Sequence, residues 1–146
     1  GQLVSDILRQ RGIEPVIVEM NIDTHRRLRS EGRASVHGDA NRKEVLEQAG
    51  LAGAASLILS ASGTAGATEA VRVAREINPR IHVVARADFL REAGLLRRAG
   101  AGEVFSGECE VALAMAGSIL GHLGATPEQL DAAREQMRTD LQSAAG

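Results

Sequence analysis

Short apolar runs alternate with amphipathic helix patterns from one end of the chain almost to the other, and that alternation leaves few folds open. The runs are PVIVE (15–19), RASVH (33–37), ASLILS (55–60), IHVVARA (81–87) and EVF (103–105). Each is too short for a helix, most are rich in Val or Ile, and Gly, Pro, Asn or Asp bound them. Strand, helix, strand in strict turn predicts a parallel, doubly wound sheet whose apolar strands are covered by helices on both faces.

The helices between them carry their own punctuation. GQLVSDILRQRG (1–12) places Leu3, Ile7 and Leu8 on one face and stops at Gly12, and a second helix runs from about Asp23 to Ser30 before Gly32. NRKEVLEQAG (41–50) predicts a helix with Asn41 as N-cap, Glu44 in the capping-box position and Gly50 as terminator. ASGTAGA (61–67) reads as a small-residue loop. TEAVRVAREIN (68–78) is a helix stopped by Asn78 and Pro79, and DFLREAGLLRRAG (88–100) is another.

After Phe105 the rhythm breaks. CEVALAMAGSILGHLG (109–124) is apolar or small nearly all the way round, so a single sheet cannot cover it, and either a second copy or a neighbouring domain is expected against it. Burial within one subunit is the alternative. The remaining residues predict a polar amphipathic helix that starts at Thr126 with Pro127 in its first position.

Composition removes several function classes. With two Phe and no Trp or Tyr, the chain cannot build the aromatic platforms on which single-stranded nucleic acids stack, and a net charge of −2 supplies no field for them. Its one cysteine, Cys109, cannot form an internal disulfide and reads as a partly buried, inert thiol in a reducing compartment. The four histidines have no ligand spacing and no metal site is expected. There is no signal-peptide pattern and no apolar run long enough to span a bilayer, which predicts a soluble, cytoplasmic piece. A first helix with no start of its own suggests a fragment.

Glu19 is the residue that points to a ligand. In a dinucleotide-binding unit an acid at the end of the second strand bonds the ribose hydroxyls, about twenty residues after a glycine turn. Gly1 lies at a suitable distance before Glu19 to be the last glycine of that turn. A solvated strand-end acid is the alternative. An acid here favours an NAD-type ribose over a 2′-phosphate; Arg26 and Arg27 lie too far along the next helix to hold one.

Taken together, GQLVSDILRQRGIEPVIVEMN, VHGDANRKEVLEQAGLAGAASLILS, INPRIHVVARA and LRRAGAGEVF resemble the regulator-of-potassium-conductance N-terminal domain, also called TrkA-N or potassium-transport nucleotide-binding domain. The likeness covers about residues 1–124 and is closest to the cytosolic domain of glutathione-regulated, Kef-type bacterial potassium/proton antiporters. It implies a Rossmann-like α/β fold, with the first strand and most of the glycine loop missing from this chain, and C-terminal helices for dimerisation. Residues 1–106 would be the nucleotide-binding domain, 107–124 the apolar dimer-contact helix and 125–146 the polar helix.

The resemblance also implies roles. Gly1 would belong to the phosphate turn; Glu19 would bind the adenosine ribose of NAD(H) or AMP, with Met20 and Asn21 beside it. Asp39 and Ala40, after Gly38, would flank the adenine, while a purely local role for Asp39 is an acid at the start of the next helix. Ser60 and Ala61 would line the groove. Arg86 would face phosphate or a glutathione-like anionic effector, on the premise that a buried Arg is too costly to be filler; its alternative is a pair with Glu108 or Glu110 across a subunit contact. His37, next to Gly38, could touch a nucleotide but as a strand-end histidine is as readily structural.

The implied partners are a second copy and a membrane transport domain at the cytoplasmic face of the inner membrane, with no nucleic acid. No enzyme is expected. The chain has no Tyr and one lysine, Lys43, so the Tyr/Lys pair of short-chain dehydrogenases cannot be assembled. Other readings are the regulatory subunit of a potassium uptake system, a channel gating-ring domain and, from another class, a fragment of an NAD-dependent oxidoreductase.

Overall fold

In a computed structural model that describes residues 1–61 and 63–144, helix and strand alternate as the pattern predicts. In chain order the elements are α1 (Gln2–Arg9), β1 (Ile17–Glu19), α2 (Ile22–Ser30), β2 (Ser35–His37), α3 (Lys43–Gln48), β3 (Ser56–Leu59), α4 (Thr64–Ile77), β4 (His82–Ala87), α5 (Ala93–Ala99), β5 (Glu103–Ser106), α6 (Gly107–His122) and α7 (Pro127–Ala144). All strand pairing is parallel. The strands form two pieces, β1–β2 and β3–β4–β5. They match strands 2–3 and 4–6 of the doubly wound order 3-2-1-4-5-6, on either side of its first strand.

The core lies on one face of β3–β4–β5. Leu46 of α3, Val71 of α4 and Leu96 of α5 are fully buried, and they pack with Val83, Ala85 and Val104 from the strands. The sequence expectation of two covered faces is corrected here. Along β4 the odd positions are buried, whereas His82 and Arg86 are exposed and Val84 is half-buried. Ile58 and Phe105, on the neighbouring strands, are 41% and 37% exposed. The side-chain period of two therefore divides the strand between a packed and an open face, even where both are apolar.

Several boundaries differ from the sequence reading for local reasons. Helix α2 starts at Ile22, one residue before the expected Asp23, because Asn21 caps it: the Asn21 side chain accepts from the Thr24 N–H (2.9 Å). Helix α3 starts at Lys43, because Arg42 is extended (φ −94°, ψ 127°) and serves as N-cap without any side-chain bond, so Asn41 does not cap it. Helix α4 begins at Thr64 and takes in residues read as loop.

Helix α7 starts as expected. Thr126 Oγ1 accepts from Gln129 N–H and Gln129 Oε1 accepts from Thr126 N–H, a reciprocal cap ahead of Pro127. It packs along α6, where Arg138 pairs with Glu110 (3.0 Å) and Arg134 lies over Gly117. One face of α6 (Cys109, Leu113, Gly117) is buried; Val111, Met115, Ile119 and Leu123 stay exposed at 60–74%. No helix among the described residues is long and apolar enough to cross a membrane.

Candidate functional site

The carboxyl ends of parallel strands are where ligands bind in open α/β sheets, and the candidate residues gather there. At the end of β1, the half-buried Glu19 accepts the Asn21 N–H on Oε1 (2.8 Å). Its other carboxylate oxygen has no partner among the described residues. The Glu19 backbone carbonyl accepts from Gly38 N–H (3.0 Å), and the Met20 carbonyl bonds His37 Nε2 (3.0 Å), so the ends of β1 and β2 are stitched together. Met20 itself projects, 68% exposed. Sequence reasoning left His37 open between ligand and structural roles; its bond to Met20 is the structural one.

Gly38 sits at φ +155°, against α3. A Cβ there would lie 2.6 Å from Val45 Cγ2, so only glycine lets the β2 turn approach α3 this closely. Asp39 then accepts the Asn41 N–H on Oδ1 (2.9 Å), an Asx turn of the kind its side chain favours. That bond places Asp39 in the turn and not at the start of α3, whose first-turn acid is Glu44. Ala40 is half-buried and packs on the core.

At the end of β3, Ser60 is half-buried and meets the start of α1: a Cβ on Gly1 would lie 3.1 Å from Ser60 Oγ. Ala61 is exposed, at the start of the short loop to α4. Among the described residues, no side chain caps the N-terminus of α4. The structure thus joins Gly1 to Ser60, and Glu19 to Asn21 and Gly38.

Arg86 falls elsewhere. It is half-exposed and bonded to Asp88 (2.9 Å), which corrects the expectation of a buried cation in need of an anion. Glu108 accepts from the Leu90 N–H and Glu110 holds Arg138, so neither is its partner within the chain. Arg86 lines a cleft of about 360 Å³ on the open sheet face with Val4, Ile58, Ser60, Val84 and Phe105. Through Ser60 this cleft adjoins the strand-end groove.

One feature escaped the sequence reading. Arg33 is 8% exposed and reaches across to α1, bonding Ser5 Oγ (2.5 Å) and Asp6 Oδ1 (2.9 Å). It ties the helix that begins at Gly1 to the β2 side of the molecule; a lone Arg after a glycine gives no sequence signal for this. Cys109 is buried, and burial together with the adjacent Glu110 pushes its thiol up, in keeping with an inert side chain.

The TrkA-N domain family model matches residues 1–107. Over 115 residues, 79% of this chain, the sequence is 34% identical to Escherichia coli (strain K12) YbaL, described as a cation/proton antiporter, and the match spans 21% of that protein's length. The crystal structure of the TrkA-N domain of the inner membrane protein YbaL superposes with a TM-score of 0.77, covering 80% of this chain and 86% of that one. The AMP-bound Kef C-terminal domain of Shewanella denitrificans is 25% identical with a TM-score of 0.77, covering 99% of this chain and 90% of that one. The sequence match over most of the chain and the shared doubly wound fold agree: this chain belongs to the TrkA-N domain family.

Proposed function

We propose that the chain is a cytosolic ligand-sensing domain of a cation/proton antiporter, which binds AMP or NAD(H) where β1, β2 and β3 end and does no chemistry on it. The carrying observation is the Glu19 carboxylate, oriented by the Asn21 N–H with its second oxygen open. A fixed carboxylate at a strand end accepts the hydroxyls of a ribose diol. It repels a 2′-phosphate, and the nearby cations are engaged on the surface of α2, Arg26 with Asp23 and Arg27 with Glu31. The AMP-bound Kef domain, which aligns over nearly the whole chain, supports the choice of an adenine nucleotide.

In this reading residues 1–106 hold the nucleotide through Gly1, Glu19, Met20, Asn21, Gly38, Asp39, Ala40, Ser60 and Ala61, and Arg86 serves a phosphate or an anionic effector from the adjoining cleft. The exposed stripe Val111, Met115, Ile119 and Leu123 in residues 107–124 receives a second copy, and in the 125–146 segment α7 (Pro127–Ala144) braces the other face of that helix. Nucleotide binding shifts how the two copies pack, and that shift acts on the membrane transport domain at the cytoplasmic face. The test is calorimetric titration of the intact protein with AMP, NAD(H) and NADP(H). Saturable binding of AMP or NAD(H), weakened by Glu19→Ala and Asp39→Ala and absent for NADP(H), is the expected result. No binding of any adenine nucleotide by the folded protein rejects the reading.

A further inference from the structure

Asn41 carries an inference that rests on the nucleotide reading above and deepens it. Its sequence position predicts a helix cap, yet α3 starts beyond it and the cap is Arg42, so the side chain is released from that duty. Its backbone N–H is held by Asp39 Oδ1 (2.9 Å), which fixes the turn that carries it. The amide lies against the first turn of α4, where a Cβ on Gly66 would sit 3.4 Å from Asn41 Nδ2 and 4.0 Å from Oδ1. The residue is half-buried, and among the described residues its amide has no hydrogen-bond partner. Its backbone is held by the turn, and its amide, which no other described side chain or carbonyl occupies, is free to exchange water for the edge of a ligand.

Asn41 is also well placed for a base. It lies four residues past His37, which pairs in register with Glu19, the proposed ribose acceptor. An asparagine amide presents a donor beside an acceptor, the complement of the adenine edge with its exocyclic amine and adjacent ring nitrogen. We infer that Asn41 is the base-reading residue of the site: Oδ1 accepts from the N6 amine of adenine and Nδ2 donates to the neighbouring ring nitrogen. Asp39 acts through Asn41 by fixing the turn.

The test is a binding cycle on the intact protein with AMP and with purine riboside 5′-monophosphate, which lacks only the 6-amino group. The wild type should prefer AMP by about five- to tenfold, one hydrogen bond's worth. Asn41→Ala should bring that ratio close to one. Asn41→Asp, isosteric and retaining the acceptor, should weaken both ligands yet keep the preference for AMP. Thermal unfolding of both variants checks that they are folded. A wild type that binds AMP through Glu19 but shows no preference, or a preference that survives Asn41→Ala, overturns the role of Asn41 alone. Failure of the wild type to bind either nucleotide overturns the nucleotide reading and this inference with it.

Discussion

Gly38→Ala is the substitution that tests most sharply how the β2 turn is built. The new methyl would lie 2.6 Å from Val45 Cγ2 and 3.1 Å from Cγ1, well inside ordinary van der Waals contact. Val45 is β-branched and sits on α3, where one χ1 rotamer dominates, so it cannot swing aside. Overpacking of this kind costs about 1–3 kcal/mol. The positive φ adds strain of the same sign. For a chain of this size the loss corresponds to a melting temperature lowered by roughly 3–10 °C.

Val45→Ala removes two methyls from a half-buried position and alone costs about 1 kcal/mol. In the double variant the clash disappears, and the combined loss should fall short of the sum by about 1–2 kcal/mol. Thermal and urea denaturation of the four proteins measures this coupling. Because Gly38 N–H bonds the Glu19 carbonyl, Gly38→Ala should also weaken AMP, and Val45→Ala should restore part of the affinity. A Gly38→Ala protein as stable as the wild type, or additivity within about 0.3 kcal/mol, refutes the packing argument.

Arg33→Ala removes the bonds to Ser5 and Asp6, each charge-assisted bond contributing about 1.5–3 kcal/mol; hydrogen exchange should quicken in α1 more than in α4, and uniform exchange would contradict the anchor. Burial and Glu110 raise the Cys109 thiol, so at a given pH less thiolate is present than in the unfolded chain. Alkylation should be slow when folded and normal in urea, and stability should decline as pH rises through the thiol range; equal rates in both states would argue against it. Met115→Glu puts a charge in the exposed stripe of α6 and should weaken self-association roughly tenfold or more, read by sedimentation. An unchanged association constant would remove that stripe from the contact.

Much of the fold was legible because each strand announces itself by a short apolar run and most helices by a glycine stop, with Asn78 and Pro79 serving for α4. What failed were features set by tertiary or turn geometry. Asn41 and Glu44 have the spacing of a capping box, but the Asx turn of Asp39 uses up the residues that would start the helix. Residues 64–67 are small and look like loop, yet they form the first turn of α4, where side-chain bulk is not required. Arg86 was judged by the apolar run around it; with only one sheet face covered, every second residue of that run is turned outward.

The candidate site was legible at Glu19, since an acid ending a strand stands out against Val and Ile. The Asn21 N–H that orients it, the His37 bond that joins β1 to β2, and the free amide of Asn41 depend on contacts between residues far apart or in unforeseen turns.

The most direct test of the central claim is hydrogen exchange of the intact protein, followed by mass spectrometry, with and without saturating AMP. Protection centred on peptides that carry the start of α1 and residues 19–22, 38–41 and 60–66, and lost in Glu19→Ala, is the predicted pattern. Unchanged exchange at those strand ends, or protection only along the open sheet face around Arg86, would contradict the account.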